Sequence, residues 1–299
     1  MPKAYKRVKN LNRNPLLFEI IALVFIGLLC LSLIFATYMV IITSLKGIVD
    51  YTINPIGIPK KLRFDNYANA MEQLYVRIPT ETGTRNVEFL ELFINSLIFM
   101  FGCGFVQLYA QFTCAYVATK YPCFITNLMT WIVVFVISFP IVGSTASSMV
   151  LYRTVGIYNN RIFYILCGAT FTGTGFLIYR SACKGIDDAY LDAARLDGAG
   201  HYRVMFTIVV PMVKPLLIGM FLIDVLALWK DWSTPMIWLP KYPTIAYALY
   251  RFQFSTENSV SQVPAQMAGC VLVMLPNLIL FLLFKDKFIG NISFGGLKG

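Results

Sequence analysis

Long apolar runs separated by short polar segments dominate the chain. A bilayer-crossing helix needs about 20 consecutive, mainly apolar residues. Six stretches meet that length, at roughly 17–44, 92–118, 125–151, 161–183, 212–232 and 264–285. An even number of crossings leaves both ends on one side of the membrane. The segments 1–16, 119–124, 184–211 and 286–299 then share that side, and 45–91, 152–160 and 233–263 face the other. The expected fold is an all-α membrane protein with six transmembrane helices. Its domain layout is an N-terminal tail (1–16), one membrane domain (17–285) and a C-terminal tail (286–299). The first run exceeds the h-region of a signal peptide, about 7–15 residues, so it reads as a retained span.

Helix breakers modify this pattern. Pro140 interrupts the third stretch, and Pro276 with Asn277 the sixth. The fourth holds Gly168, Thr170, Thr172, Gly173, Thr174 and Gly175. Small residues let membrane helices approach closely, and threonines hydrogen-bond between helices. Two readings stay open here: packing alone, or a polar face on a translocation path. The segment 45–91 carries Pro55, Pro59, Pro79, Gly57, Gly83 and a polar run through Asn86. Short amphipathic helices fit it, for instance around Phe64 to Leu74; a large globular domain does not.

Composition agrees with lipid as the solvent. Of 299 residues, 58% are hydrophobic and 13% charged. Mean hydropathy is +0.66. A soluble domain carries about 25% charged residues. The net charge of +10 includes Lys3, Lys6, Arg7, Lys9 and Arg13, directly before the first apolar run. A basic flank is cytoplasmic under the positive-inside rule, so both termini are expected inside. The outer segment 45–91 has six basic and six acidic residues and adds no bias. Nucleic-acid binders place basic faces on soluble bodies and carry motifs that are missing here. The seven cysteines include no CxxC pair and read as small apolar residues.

The segment 184–211 carries the most specific local pattern. Asp187 or Asp188 can cap a helix start, where free N–H groups favour an acidic oxygen. Ala189 to Leu196 favour helix, and Gly198 and Gly200 can end it by adopting positive φ. A second short helix follows, and Pro211 marks the start of the next span. Ala193 and Ala194 leave a small-residue surface that another protein can approach closely.

This segment resembles the cytoplasmic coupling loop of ABC importer permeases. That family's pattern is Glu-Ala-Ala, three residues, Gly, nine residues, Ile, one residue, Leu-Pro. Asp192-Ala193-Ala194, Gly198, Ile208, Val210 and Pro211 match it, with Asp for Glu and Val for Leu. The likeness extends along nearly the whole chain and is closest to maltose-type carbohydrate permeases. Asn95-Ser96-Leu97, Ala227-Leu228-Trp229-Lys230-Asp231-Trp232 and the ending Gly295-Gly296-Leu297-Lys298-Gly299 resemble their corresponding segments. The resemblance implies a type I ABC importer permease fold in a prokaryotic plasma membrane. It also implies a second permease, two ATP-binding-cassette ATPase subunits, an extracellular solute-binding protein and a carbohydrate, nearest an oligosaccharide, as substrate. The loop would dock as a coupling helix into one ATPase, and the tail with Gly296, Lys298 and Gly299 would reach the ATPase pair.

No phosphate-binding loop, HExxH or GxSxG occurs, and His201 is the single histidine, read as a plain polar loop residue. No cofactor or metal is therefore expected on this chain, and ATP with Mg belongs to the partner ATPases. Asp224 lies within the fifth stretch, where a charge must face protein, water or a partner. It reads as a pore or subunit-contact residue, or as a structural hydrogen-bonding group. Trp229, Trp232, Trp238, Lys230 and Asp231 cluster near the outer end of that stretch. The tryptophans read as an interfacial belt, or as a sugar-stacking surface. Candidate path residues are thus Asp224, Trp229, Asp231, Thr172 and Thr174. An ion-coupled secondary transporter explains the spans but not the 184–211 pattern, and a membrane enzyme lacks catalytic groups.

Overall fold

The computed structural model describes residues 15–80, 83–139, 143–167, 172–254 and 263–292. The N-terminal basic residues, Pro140, Gly168, Thr170 and the tail residues Gly296, Lys298 and Gly299 lie outside them. The described elements begin with α1 (Pro15–Ser44), α2 (Ile48–Ile53), α3 (Asp65–Gln73) and a hairpin of β1 (Val76–Thr80) and β2 (Gly83–Val87). Helices α4 (Phe89–Lys120), α5 (Phe124–Ser138), α6 (Thr145–Val155), α7 (Arg161–Cys167), α8 (Thr174–Lys184) and α9 (Asp188–Leu196) follow. Then come α10 (His201–Val204), a π-helical turn (Met205–Val209), α11 (Val210–Lys230), α12 (Ser233–Trp238), α13 (Ile245–Gln253) and α14 (Val263–Ile292).

Among the described residues, four helices are long and apolar enough to cross a membrane: α1, α4, the continuous helix from His201 to Lys230, and α14. They match the first, second, fifth and sixth predicted stretches. The third stretch is instead occupied by α5 and α6, and the fourth by α7 and α8. Hydropathy averages over such a stretch, but proline removes a helical donor and glycine disfavours helix by about 1 kcal/mol. Pro276 breaks nothing: α14 runs through it.

The chain divides into two compact units, residues 1–70 with 257–271 and residues 71–256 with 272–299. In the first, α1 exposes apolar side chains on every side between Ile20 and Phe35. The chain beyond it is knotted by polar groups. Lys46 is fully buried, and its ammonium donates to the carbonyls of Asn54 (2.7 Å) and Pro55 (2.9 Å), just past the end of α2. Asn66 donates to the carbonyls of Ser44 and Lys46, both at 2.8 Å. A buried cation is tolerated only with such partners.

In the second unit, α4 packs against both α8 and α11. Phe112, Tyr116, Phe176, Tyr179, Leu191, Val204 and Val209 form one core. The close approach of α8 requires Gly175, where an added Cβ would collide with Gln111 Oε1 of α4. For this glycine the packing reading of the fourth stretch holds. At the other end of α4, Asn95 donates to the Pro243 carbonyl (3.2 Å) and accepts from Arg161 (3.1 Å). Ser96 Oγ accepts the Ile245 N–H at 2.8 Å. The Asn95-Ser96 pair thus ties the α13 segment to α4. The hairpin, which the polar outer segment did not announce, pairs Val76 with Val87 and buries Val76, Ile78 and Val87.

Pro211 does not begin a separate helix, as the sequence pattern suggested. The helix starts at His201 and widens just before the proline. The Val210 N–H reaches back five residues to the Met205 carbonyl. A proline ring clashes with the carbonyl four residues earlier, and a π-turn relieves that clash without ending the helix.

Candidate functional site

Helix α9 and the turn after it form a compact hairpin. Asp187 Oδ1 accepts the Ala189 N–H at 3.0 Å, making the N-terminal cap. The C-terminal turn closes through Gly198 N–H to Arg195 O (3.0 Å) and Ala199 N–H to Ala194 O (2.9 Å). Gly198 has φ +79°, the left-handed conformation that glycine adopts without strain. Leu191, 1% exposed, points into the core of the second unit. At 100° per residue, Ala193 lies on the opposite face, while Ala194 lies beside Leu191. The burial agrees: Ala193 is exposed and Ala194 half-buried. Ala189, Ala193 and Leu196 form an exposed apolar stripe, and Leu196 is 89% exposed. The sequence reading used both alanines and overlooked Leu196, although its spacing from Ala193 is one helical turn.

Side chains far apart in sequence hold the hairpin. Lys120, the last residue of α4, donates to the Ile186 carbonyl (2.6 Å) and pairs with Asp188 (2.7 Å). The hydroxyl of Tyr121 is 2.8 Å from His201 Nδ1 and accepts from Arg195 Nη2 at 3.2 Å. Arg195 Nη1 donates to Asp192 Oδ1 at 3.0 Å. The Tyr121 hydroxyl, and after it the Asp192 carboxylate, raises the Arg195 guanidinium above its ordinary value. The Lys120 side chain is 5% exposed, whereas Asp192 and Arg195 sit in water that screens their pairing, so the buried Leu191 and Lys120 do most of the anchoring. His201, read as a plain loop residue, is one arm of this clasp. Ile208 is half-buried and Pro211 exposed on the following helix.

The candidate path residues have separate surroundings. Trp229 is buried: its indole N–H donates to the Val273 carbonyl at 2.9 Å and its ring meets Phe93 edge-on. Its environment is that of a packing residue, neither interfacial belt nor sugar surface. Trp232 stacks on Tyr250 at 3.9 Å, and Trp238 packs on Tyr152. Asp231 Oδ1 accepts from Ser233 N, Ser233 Oγ and Thr234 N, each at 3.0 Å, and so starts α12. Asp231 also borders a cavity of 100 Å³ together with Phe99, Gln107, Tyr164 and Thr234. Asp224, Thr172 and Thr174 do not line it. Asp224 is half-buried on α11. Thr172 is half-buried before α8, and Thr174 is the exposed first residue of that helix.

Residues 112–288, which include the whole hairpin and its clasp, match the family model described as binding-protein-dependent transport system inner membrane component. The chain belongs to that family. The permease resembles the starch degradation products transport system permease AmyC of Thermoanaerobacterium thermosulfurigenes, at 25% identity over 92% of this chain and 96% of that protein. It is 28% identical to the melibiose/raffinose/stachyose import permease MelC of Bacillus subtilis, over 88% of this chain and 90% of the relative. A chain of a bacterial ABC transporter involved in the import of the acidic polysaccharide alginate superposes with a TM-score of 0.73 at 19% identity. The match covers 92% of this chain and 98% of that one. The permease therefore has the fold of an ABC importer membrane subunit.

Proposed function

We propose that this permease carries an oligosaccharide into the cell by alternating access, driven by ATPase subunits that dock on the α9 hairpin. The observation that carries this is the exposed stripe Ala189–Ala193–Leu196, presented on a helix whose opposite face is anchored in the core of the second unit. On this reading Leu196 enters a cleft in an ATPase, and its burial stabilises the contact by about 1.5–3 kcal/mol. On this reading the coupling element is 184–211, with Asp192, Ala193, Ala194, Gly198, Ile208 and Pro211 within it. The chain crosses the membrane six times with both termini cytoplasmic. A second permease completes the pore, an extracellular solute-binding protein delivers the sugar, and ATP with Mg is held by the two ATPase subunits.

The names of the relatives favour an oligosaccharide of the starch or raffinose type. The path groups on this chain are Asp224, Asp231, Thr172 and Thr174, whose carboxylates and hydroxyls match sugar hydroxyls; the 100 Å³ cavity beside Asp231 is smaller than a sugar site. The test is reconstitution of the chain with its sister permease, ATPase and binding protein in proteoliposomes, with labelled raffinose and maltotriose. ATP-dependent uptake of either sugar is expected, and the chain purified alone should hydrolyse no ATP. Uptake driven by an ion gradient without the ATPase would refute the reading.

A further inference from the structure

A second cavity, of 360 Å³, lies beside the ends of α4, α5 and α8 nearest the α9 hairpin. Leu177, Arg180, Ser181 and Lys184 of α8 line it, together with Thr119 of α4 and Asn127 of α5. The four α8 residues stand at i, i+3, i+4 and i+7, so they form one face. Phe176, Tyr179 and Cys183 turn the other face into the core. Arg180 is half-buried and Lys184 exposed. Neither joins an ion pair among the described residues, and neither they nor Asn127 has a side-chain hydrogen-bond partner there. Complementing the helix dipole accounts for a single basic residue in the last turn of α8. It does not account for two cations and a facing amide around one hollow.

We propose that this cavity binds a phosphate group, held by Arg180 and Lys184 with Asn127 and Ser181 as neutral donors. A guanidinium offers a fork of N–H donors to phosphate oxygens, and an ammonium adds a point charge. Basic pockets between membrane helices at the headgroup level take anionic lipids. Leu177, one turn deeper on the same face, would lie along the start of an acyl chain. The volume falls in the range of small-ligand sites, about 300–1,000 Å³. A phosphatidylglycerol headgroup and a soluble phosphate share this chemistry. The site stands on geometry alone and does not depend on the sugar reading.

The full chain in phosphatidylcholine nanodiscs, with and without phosphatidylglycerol, separates the sources. Native mass spectrometry counts retained lipid, and calorimetry with inorganic phosphate in the neutral nanodiscs measures a soluble ligand. Phosphatidylglycerol retained over phosphatidylcholine assigns a lipid. Phosphate binding in neutral nanodiscs assigns a soluble anion. In either case Arg180→Gln and Lys184→Gln each weaken binding about fivefold, and Lys60→Gln, which removes an equal charge elsewhere, does not. Lys184 is exposed, so Lys184→Gln remains readable even if Arg180→Gln disturbs insertion. Binding of neither probe, wild-type binding by Lys184→Gln, or an equal loss in Lys60→Gln overturns the site.

Discussion

Substituting Gly198 isolates the geometry of the coupling hairpin from its surface. With φ +79°, this position strains an L-residue by roughly 1–2 kcal/mol. A Cβ added there meets no atom within 4 Å, so no steric clash adds to the strain. The strain either remains or opens the turn closed by the Gly198 and Ala199 N–H groups. To the extent that it opens the turn, the docking-competent hairpin is depleted, by up to about 5- to 30-fold, since 1.4 kcal/mol is tenfold in an equilibrium. Gly198→Val is expected at the high end, because β-branched residues are least tolerant of positive φ. Gly198→Asn is expected near the low end, since asparagine visits that region most readily. The assay is co-purification of the ATPase together with sugar uptake, normalised to the amount of inserted chain. The expected order is wild type, then Asn, then Val, with insertion unchanged. Equal losses in the two variants would show that a side chain, not backbone conformation, matters at 198. Wild-type values in Gly198→Val would remove the hairpin from the coupling mechanism.

Other substitutions probe the face and the clasp. Ala193→Trp and Leu196→Asp alter only exposed positions, so thermal stability of the isolated chain stays unchanged while ATPase capture falls at least tenfold; a stability loss matching the capture loss would refute the face assignment. Tyr121→Phe removes the hydroxyl shared by Arg195 and His201, weakening hairpin docking by about 1 kcal/mol, read as a several-fold fall in uptake that a wild-type rate would contradict. The exposed Cys123 thiol is held below its ordinary value, first by the backbone hydrogen bond with Thr126 and then by that residue's side chain. Its thiolate therefore persists to lower pH. An impermeant maleimide should react with it from the cytoplasmic side only, with a midpoint below that of a free thiol, and Thr126→Val should move the midpoint up. A midpoint at or above the free-thiol value, or labelling in intact cells, counts against the arrangement.

What was legible in the chain was local. Hydropathy over 17–44, 92–118 and 264–285 follows from the solvent each helix meets, and α1, α4 and α14 occupy those stretches. The α9 hairpin could be read because its determinants lie within a turn or two. Asp187 caps its own helix, Gly198 ends it, and the alanines between favour it. The helix expected around Phe64 to Leu74 appears as α3 for the same reason. What tertiary structure decided is every relation set by how one helix is rotated against another. Periodicity places Leu191 and Ala193 on opposite faces but does not say which face is buried; packing on α4 and α8 does. Tyr121 meets Arg195 and His201 across 74 and 80 residues, and Trp229 meets Val273 across 44. No spacing rule spans such separations. A side chain's partners there depend on the crossing of three helices, and that crossing depends on sites such as Gly175 against Gln111, whose close approach appears only once the helices are packed.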